Sequence, residues 1–134
     1  MNARVLIVDD EADIRELLSM TLTRMGLEVD AAGTGFEAEQ LLQRHRYALC
    51  LTDMRLPDGN GLDLLGHVGR HYPQTPVAVI TAFGSAENAV AALKAGAFDY
   101  IAKPVDLDLL LALLRVWIGR SRSRTTADLM ASGA

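Results

Sequence analysis

The chain has a single cysteine, Cys50, among 134 residues. That excludes an internal disulfide framework, and Cys50, set in an apolar run, reads as a packed core thiol rather than a redox centre. Aromatic residues make up only 5%, too few for the stacking platforms that hold single-stranded nucleic acids. No apolar run reaches the ~18–20 residues of a membrane span, so no membrane partner is expected. No Walker-type glycine loop is present. Positive charge is also short. A net charge of −4 argues against a protein that coats nucleic acid, and no direct nucleic-acid contact is expected of this domain. The first residues carry no signal-peptide pattern, so the expectation is a reduced protein of the cytoplasm.

What the chain does have is apolar content, 50%, enough for a core without staples. Its charge is uneven. Residues 119–134, GRSRSRTTADLMASGA, carry three arginines against Asp128, a charge of +2, which leaves −6 on residues 1–118. The basic tail reads as a linker. The expected organisation is one domain over 1–118 and a tail over 119–134, the sequence being a piece of something longer.

Before the tail, two patterns alternate. Short β-rich runs are predicted at Val5–Val8, Val29–Ala32, Ala48–Thr52, Val77–Thr81 and Tyr100–Ala102. Between them lie stretches of helical spacing. The first helix places Ile14, Leu17, Leu18, Thr21, Leu22 and Met25 on one face and stops at Gly26. The second holds Ala38, Leu41 and Leu42. The third runs from about Leu62 to His71 before Pro73. The fourth holds Ala89, Val90 and Leu93 before Gly96. The fifth opens at Asp106, an N-cap. Such alternation predicts an α/β fold, a doubly wound parallel sheet with helices on both faces. Strands one, three and four are continuously apolar and therefore central. Strands two and five are interrupted and therefore edges. The order 2-1-3-4-5 satisfies this, a flavodoxin-like arrangement.

Ligands of such sheets bind beyond the carboxyl ends of the strands. Strand one delivers Asp9, Asp10 and Glu11 to that rim, strand three Asp53, strand four Thr81 and strand five Lys103. Each has another reading taken singly. The first two can cap a helix, Asp53 can be a solvated strand end, Thr81 can open a turn, and Lys103 can be a surface lysine. Together they are harder to dismiss, because the fold forces them into one small volume. Clustered carboxylates repel and call for a cation. Mg²⁺ suits oxygen ligands and phosphate, Lys103 offers a point charge to a phosphoryl oxygen, and Thr81 offers a hydroxyl donor. Asp9 and Asp10 form a metal platform. Asp53, alone on the central strand, is the better nucleophile toward phosphorus.

At this point the segments VLIVDDEADIRELL, LCLTDMRLPDGNGLDLL and VAVITAFGSAENAVAALKAGAFDYIAKPVDLDLL resemble a two-component response-regulator receiver domain over roughly residues 3–118. The wording is most similar to the NtrC-type, sigma-54-dependent enhancer-binding subgroup, including pilin regulators. The resemblance implies a phosphorylation-activated signalling switch rather than a turnover enzyme. In it, Asp53 takes a phosphoryl group from a sensor histidine kinase. Asp10 and Asp53, with the backbone carbonyl of Arg55, bind Mg²⁺, and Asp9 acts partly through water. Lys103 pairs with the phosphoryl group, Thr81 moves to hydrogen-bond it, and Tyr100 is the switch aromatic. Ala82 leaves room for the group, and Arg55 and Phe83 stand where this family tunes hydrolysis. The implied output is transcription, through an ATP-driven activating domain and a helix-turn-helix outside these residues.

The fifth helix, LDLLLALLRVWI, has an apolar arc wider than the ~100° stripe that core packing requires. Leu107, Leu110, Leu111, Leu114, Trp117 and Ile118 form the inner face, and Leu109, Leu113 and Val116 extend it outward. Surface leucine is tolerated, but the favoured reading is a homodimer through the fourth and fifth helices. Asp58-Gly59-Asn60-Gly61 reads as a tight turn, and His45, His67 and His71 as solvated helix positions with no metal. Two other functions fit parts of the kit. A haloacid-dehalogenase-like phosphatase wants an Asp-x-Asp motif after the first strand, where this chain has Asp9-Asp10. A flavodoxin-like FMN binder wants a phosphate loop there, which these carboxylates would repel.

Overall fold

The computed structural model describes residues 3–81 and 86–118. Five strands, β1 (Arg4–Val8), β2 (Glu28–Ala32), β3 (Leu49–Asp53), β6 (Val77–Thr81) and β7 (Asp99–Ala102), form one parallel sheet in the order β2-β1-β3-β6-β7. This is the 2-1-3-4-5 order read from the sequence. Two residue pairs, β4 (Arg55–Leu56) and β5 (Gly59–Asn60), form a small antiparallel hairpin directly after β3. The motif Asp58-Gly59-Asn60-Gly61 predicts a turn here but not the two strands. The helices are α1 (Ala12–Arg24), α2 (Gly35–Arg44), α3 (Gly61–His71) and α4 (Ala86–Lys94), and a fifth, α5, over residues 107–118.

Local chemistry explains the boundaries. Gly26 and Gly96 end their helices at φ of +85° and +111°, conformations that only glycine adopts without strain. Thr34 caps α2 by accepting from the Glu37 amide, and Asn60 caps α3 by accepting from the Asp63 amide. The described residues divide into two units, the first ending at Pro104 and the second beginning at Val105.

In the first unit, β1, β3 and β6 are buried along nearly their whole length, as strands covered on both faces must be. Alternate residues Leu6, Val8, Cys50, Val77 and Val79 join Ala38, Leu42, Leu64, Leu65, Val68 and Ala92 of α2, α3 and α4 in one core cluster. α1, whose crossover runs the opposite way along the sheet, covers the other face, as right-handed connections require. Its buried residues are Leu18 and Leu22. Leu17 is exposed, so the helical face is narrower than the sequence pattern suggested.

α4 differs further from expectation. The small residues Ala89 and Ala92 are buried, while Val90 and Leu93 are 49% and 44% exposed. Periodicity counted apolar positions, but alanines let the helix approach closely and leave the larger side chains outside.

In the second unit, Asp106 Oδ1 accepts from the Asp108 and Leu109 amides, the N-cap foreseen for α5. Leu110, Leu114, Trp117 and Ile118 are its buried positions. Leu107, assigned to the inner face, is exposed at 39% at the first position of the helix. Leu109 and Val116 are exposed and Leu113 is half-buried. Ala82, Phe83 and the tail over 119–134 lie outside the described residues.

Candidate functional site

The carboxyl ends of β1, β3, β6 and β7 bring the sequence-selected residues to one rim. Asp9 extends β1 by one rung, its amide donating to the Ala32 carbonyl at 3.0 Å. Its side chain is fully buried. Asp9 Oδ1 accepts from the Glu11 amide at 2.9 Å, which turns the chain into α1. Arg15, one turn into α1, donates from Nη1 to the Asp9 carbonyl at 2.8 Å. Asp10 is exposed at the rim.

Asp53 closes β3 and is buried. The register pairs Asp53 with Ile80, so Thr81, buried at the end of β6, stands one residue beyond it. The Lys103 amide donates to the Thr81 carbonyl at 2.8 Å, which fixes where the lysine leaves the sheet. From there Lys103 Nζ lies 3.0 Å from Asp53 Oδ2, 3.2 Å from Asp9 Oδ2 and 3.3 Å from Glu11 Oε1. Tyr100 is 42% exposed, its ring outside this cluster.

The electrostatics are those of too many carboxylates and one ammonium. Burial raises the Asp9 pKa above the ordinary carboxyl value, and the neighbouring Asp53 charge adds to it; the Glu11 amide and Lys103 oppose the rise without cancelling it. Burial works against the Lys103 ammonium as well. Its hydrogen bond to Asp53 and the charges of Asp9 and Asp53 prevail, so its pKa is raised.

One oxygen each from Asp9, Asp10 and Asp53 lies within 4.8 Å of the others. Asp9 Oδ2 is buried and receives no hydrogen bond of good geometry, only the ion pair with Lys103. An all-oxygen donor set with an undersatisfied buried carboxylate fits a hard divalent cation. The residues present could therefore hold one. A cleft of about 300 Å³ opens beside them, lined by Asp10, Glu11, Asp53, Met54, Arg55 and Lys103, with Asn88 from α4.

Two features were not legible in the sequence. Asn88 enters the cleft wall only because α4 packs where it does. Gly61 is the other: a Cβ there would overlap the Asp53 carbonyl, so this glycine allows the α3 N-terminus to close against the strand end. Its amide donates to the Met54 carbonyl at 2.8 Å. The signal was present as Gly61 in a glycine-rich turn, but nothing local distinguished it from Gly59.

The remaining features are structural. Cys50 is fully buried in the core, which pushes its thiol up to about 12. His45 lies just past the end of α2 rather than on it. His67 Nδ1 is 3.9 Å from Glu39 Oε1 and its ring meets that of His71 at 4.6 Å. Neither joins the carboxylate cluster.

Comparison with known proteins follows the same residues. The family model described as response regulator receiver domain matches residues 5–115. The chain is 59% identical over 111 residues to the response regulator protein PilR of Pseudomonas aeruginosa, covering 83% of this chain and 25% of PilR. It is 41% identical over 105 residues to the regulatory protein AtoC of Escherichia coli, covering 78% of this chain and 23% of AtoC. The chain thus spans about a quarter of the length of these relatives. Among solved structures, NtrX from Brucella abortus superposes with a TM-score of 0.88 at 33% identity, over 96% of this chain and 30% of NtrX. The beryllofluoride-activated NtrC4 receiver domain dimer does so with a TM-score of 0.82 at 33% identity, over 88% and 98%. The phosphatase alternative finds no support in these matches.

Proposed function

The chain belongs to the response regulator receiver domain family, the phosphorylation-activated switches of two-component signalling, and on that premise we propose that Asp53 is its phosphoacceptor. A carboxylate oxygen of Asp53 attacks phosphorus, the bond to the donor's leaving group breaks, and an acyl phosphate forms on the protein. The observation that carries this reading is the placement of Lys103 Nζ between Asp53 and Asp9, at 3.0 and 3.2 Å. It puts a cation where phosphoryl oxygens would arrive. Lys103 then exchanges a carboxylate oxygen for a phosphoryl oxygen, and Thr81, one residue past the partner of Asp53, offers its hydroxyl to another.

Asp10, Asp53 and the backbone carbonyl of Arg55 would hold Mg²⁺, with Asp9 acting through water. Bound there, it would neutralise charge on the transferring group. The chain's own part is positioning and charge, and the phosphoryl group stays on it as a signal, so the protein is not a turnover enzyme. Tyr100, exposed on β7, turns inward as Thr81 moves. That change alters the exposed apolar positions of α4 and β7, Val90, Leu93 and Tyr100.

The partners follow from the family. A sensor histidine kinase in the cytoplasm is the donor. Activation forms a homodimer through α4 and α5, where Leu109, Leu113 and Val116 are the candidate contacts. Exposed apolar side chains on each helix support this, as does the dimeric state of the NtrC4 receiver. The domain is 1–118 and the tail a linker toward an effector that controls transcription in the NtrC-type manner. Likeness to PilR and NtrX supports that subgroup.

The test is direct. Incubated with Mg²⁺ and acetyl phosphate, the chain gains one phosphoryl mass, and Asp53→Asn gains none. Label that persists in Asp53→Asn overturns the assignment.

A further inference from the structure

The hairpin between Asp53 and α3 has only two bridging pairs, Arg55 with Asn60 and Leu56 with Gly59. A two-stranded ribbon is marginal in water by itself, so something outside it must hold it. Its base is fastened by the Gly61 amide to the Met54 carbonyl and by the Asn60 cap of α3. Its tip is fastened by Asp58. Asp58 Oδ1 accepts from the Gly35 amide and Oδ2 from the Phe36 amide, both at 2.9 Å, across 23 and 22 residues of sequence. Below this clasp the hairpin and α2 are parted by a cleft of about 250 Å³ lined by Gly35, Phe36, Leu56, Asp58 and Leu64.

The two bonds do more for the hairpin than for the helix. α2 has its own cap, Thr34, which takes the Glu37 amide. The Gly35 and Phe36 amides belong to an exposed turn where water could serve them. A carboxylate at a helix N-terminus is also favoured by the helix dipole, and these amides hold the Asp58 pKa below its ordinary value.

The hairpin matters because Arg55, at its base, lines the cleft beside Asp10 and Asp53. We propose that Asp58 is a positioning residue for the metal site: by clasping the hairpin tip to the N-terminus of α2, it holds the Arg55 backbone where its carbonyl serves as a ligand. This rests on the Mg²⁺ reading above. It adds a link between the phosphorylation site and α2, a helix the switch face of α4 and β7 does not include. Linkage makes the effect reciprocal: whatever factor the clasp contributes to metal affinity, the metal contributes to the clasp.

The experiment titrates the chain with Mg²⁺ alone by calorimetry and follows exchange of the Gly35 and Phe36 amides by NMR. Asp58→Ala is expected to weaken Mg²⁺ binding about tenfold, the scale of lost outer-shell support at metal sites. Asp58→Asn, which keeps one acceptor, falls between. In the parent chain Mg²⁺ slows exchange of the two amides by the same factor. Asp10→Asn serves as the control that the metal is in the carboxylate cluster. If Mg²⁺ binds the parent and not Asp10→Asn, yet binds Asp58→Ala with parental affinity while Gly35 and Phe36 exchange faster, the clasp is a local cap and the proposal is wrong. If the parent binds no Mg²⁺, the metal reading and this proposal fall together. Circular dichroism of both Asp58 variants separates either result from loss of fold.

Discussion

Lys103 Nζ lies 3.0 Å from Asp53 Oδ2, although the strands that carry them are not neighbours. β6 stands between β3 and β7. Crossing two inter-strand gaps is a span of ~10 Å, which the four-carbon arm of the lysine closes together with the Asp53 side chain that meets it. The lysine therefore crosses over the end of β6, past Thr81, and the ammonium answers three carboxylates from two other strand ends at once.

Removing that ammonium isolates two buried carboxylates. Lys103→Ala is expected to destabilise the metal-free protein by about 1–3 kcal/mol at neutral pH, at or below the scale for breaking a buried pair because the lysine is partly solvated. Urea unfolding measures it. Mg²⁺ should recover more stability in the variant than in the parent, and equal gains would count against a shared ammonium. Phosphoryl uptake on Asp53 should persist while the accompanying change around Tyr100 is lost.

Asp9 gives a pH signature. Its pKa is raised in the fold, so the folded state holds a proton that the unfolded chain has released. Stability from this group is present below the ordinary carboxyl value of 3.8 and is lost as pH rises through the raised value. Asp9→Asn should flatten that decline in the metal-free protein, leave it more stable near neutrality, and weaken Mg²⁺ binding. Denaturation across acid to neutral pH is the measurement. A variant less stable than the parent at pH 7 would mean that the ion pair with Lys103 outweighs burial.

Gly61→Ala would press a methyl group onto the Asp53 carbonyl. Backbone cannot yield as a flexible side chain can, so a loss of about 1–3 kcal/mol is expected, the cost of overpacking. Mg²⁺ affinity should fall with it. Gly69→Ala, where a Cβ meets nothing within 4 Å, is the control and should be neutral or mildly stabilising.

Cys50 should be silent toward thiol reagents in the folded protein and react at the rate of global opening. It is fully buried and its thiol is pushed up to about 12, so neither access nor thiolate is available. Fast labelling without denaturant would refute this.

Much of this molecule was legible in its sequence. The elements and their order come from period, turn glycines and the contrast between continuous and interrupted apolar runs, all properties of neighbouring residues. The rim residues Asp9, Asp10, Asp53, Thr81 and Lys103 follow from that order, since a parallel sheet places every strand's carboxyl end on one side. What periodicity could not supply was orientation. Ala89 and Ala92 face the core and Val90 and Leu93 do not, because close approach of α4 favours small apolar residues over large ones.

The sheet, its order and the acidic rim can thus be read from the chain of residues, because these rest on local pattern and one topological rule. Which groups meet was left to folding in three dimensions. It carried Lys103 across β6 to Asp53 and Asp9, closed Gly61 onto the Asp53 carbonyl, and gave Asp58 to α2 rather than to its own turn. Those pairings join residues far apart in the chain, and no local propensity encodes the distance between them.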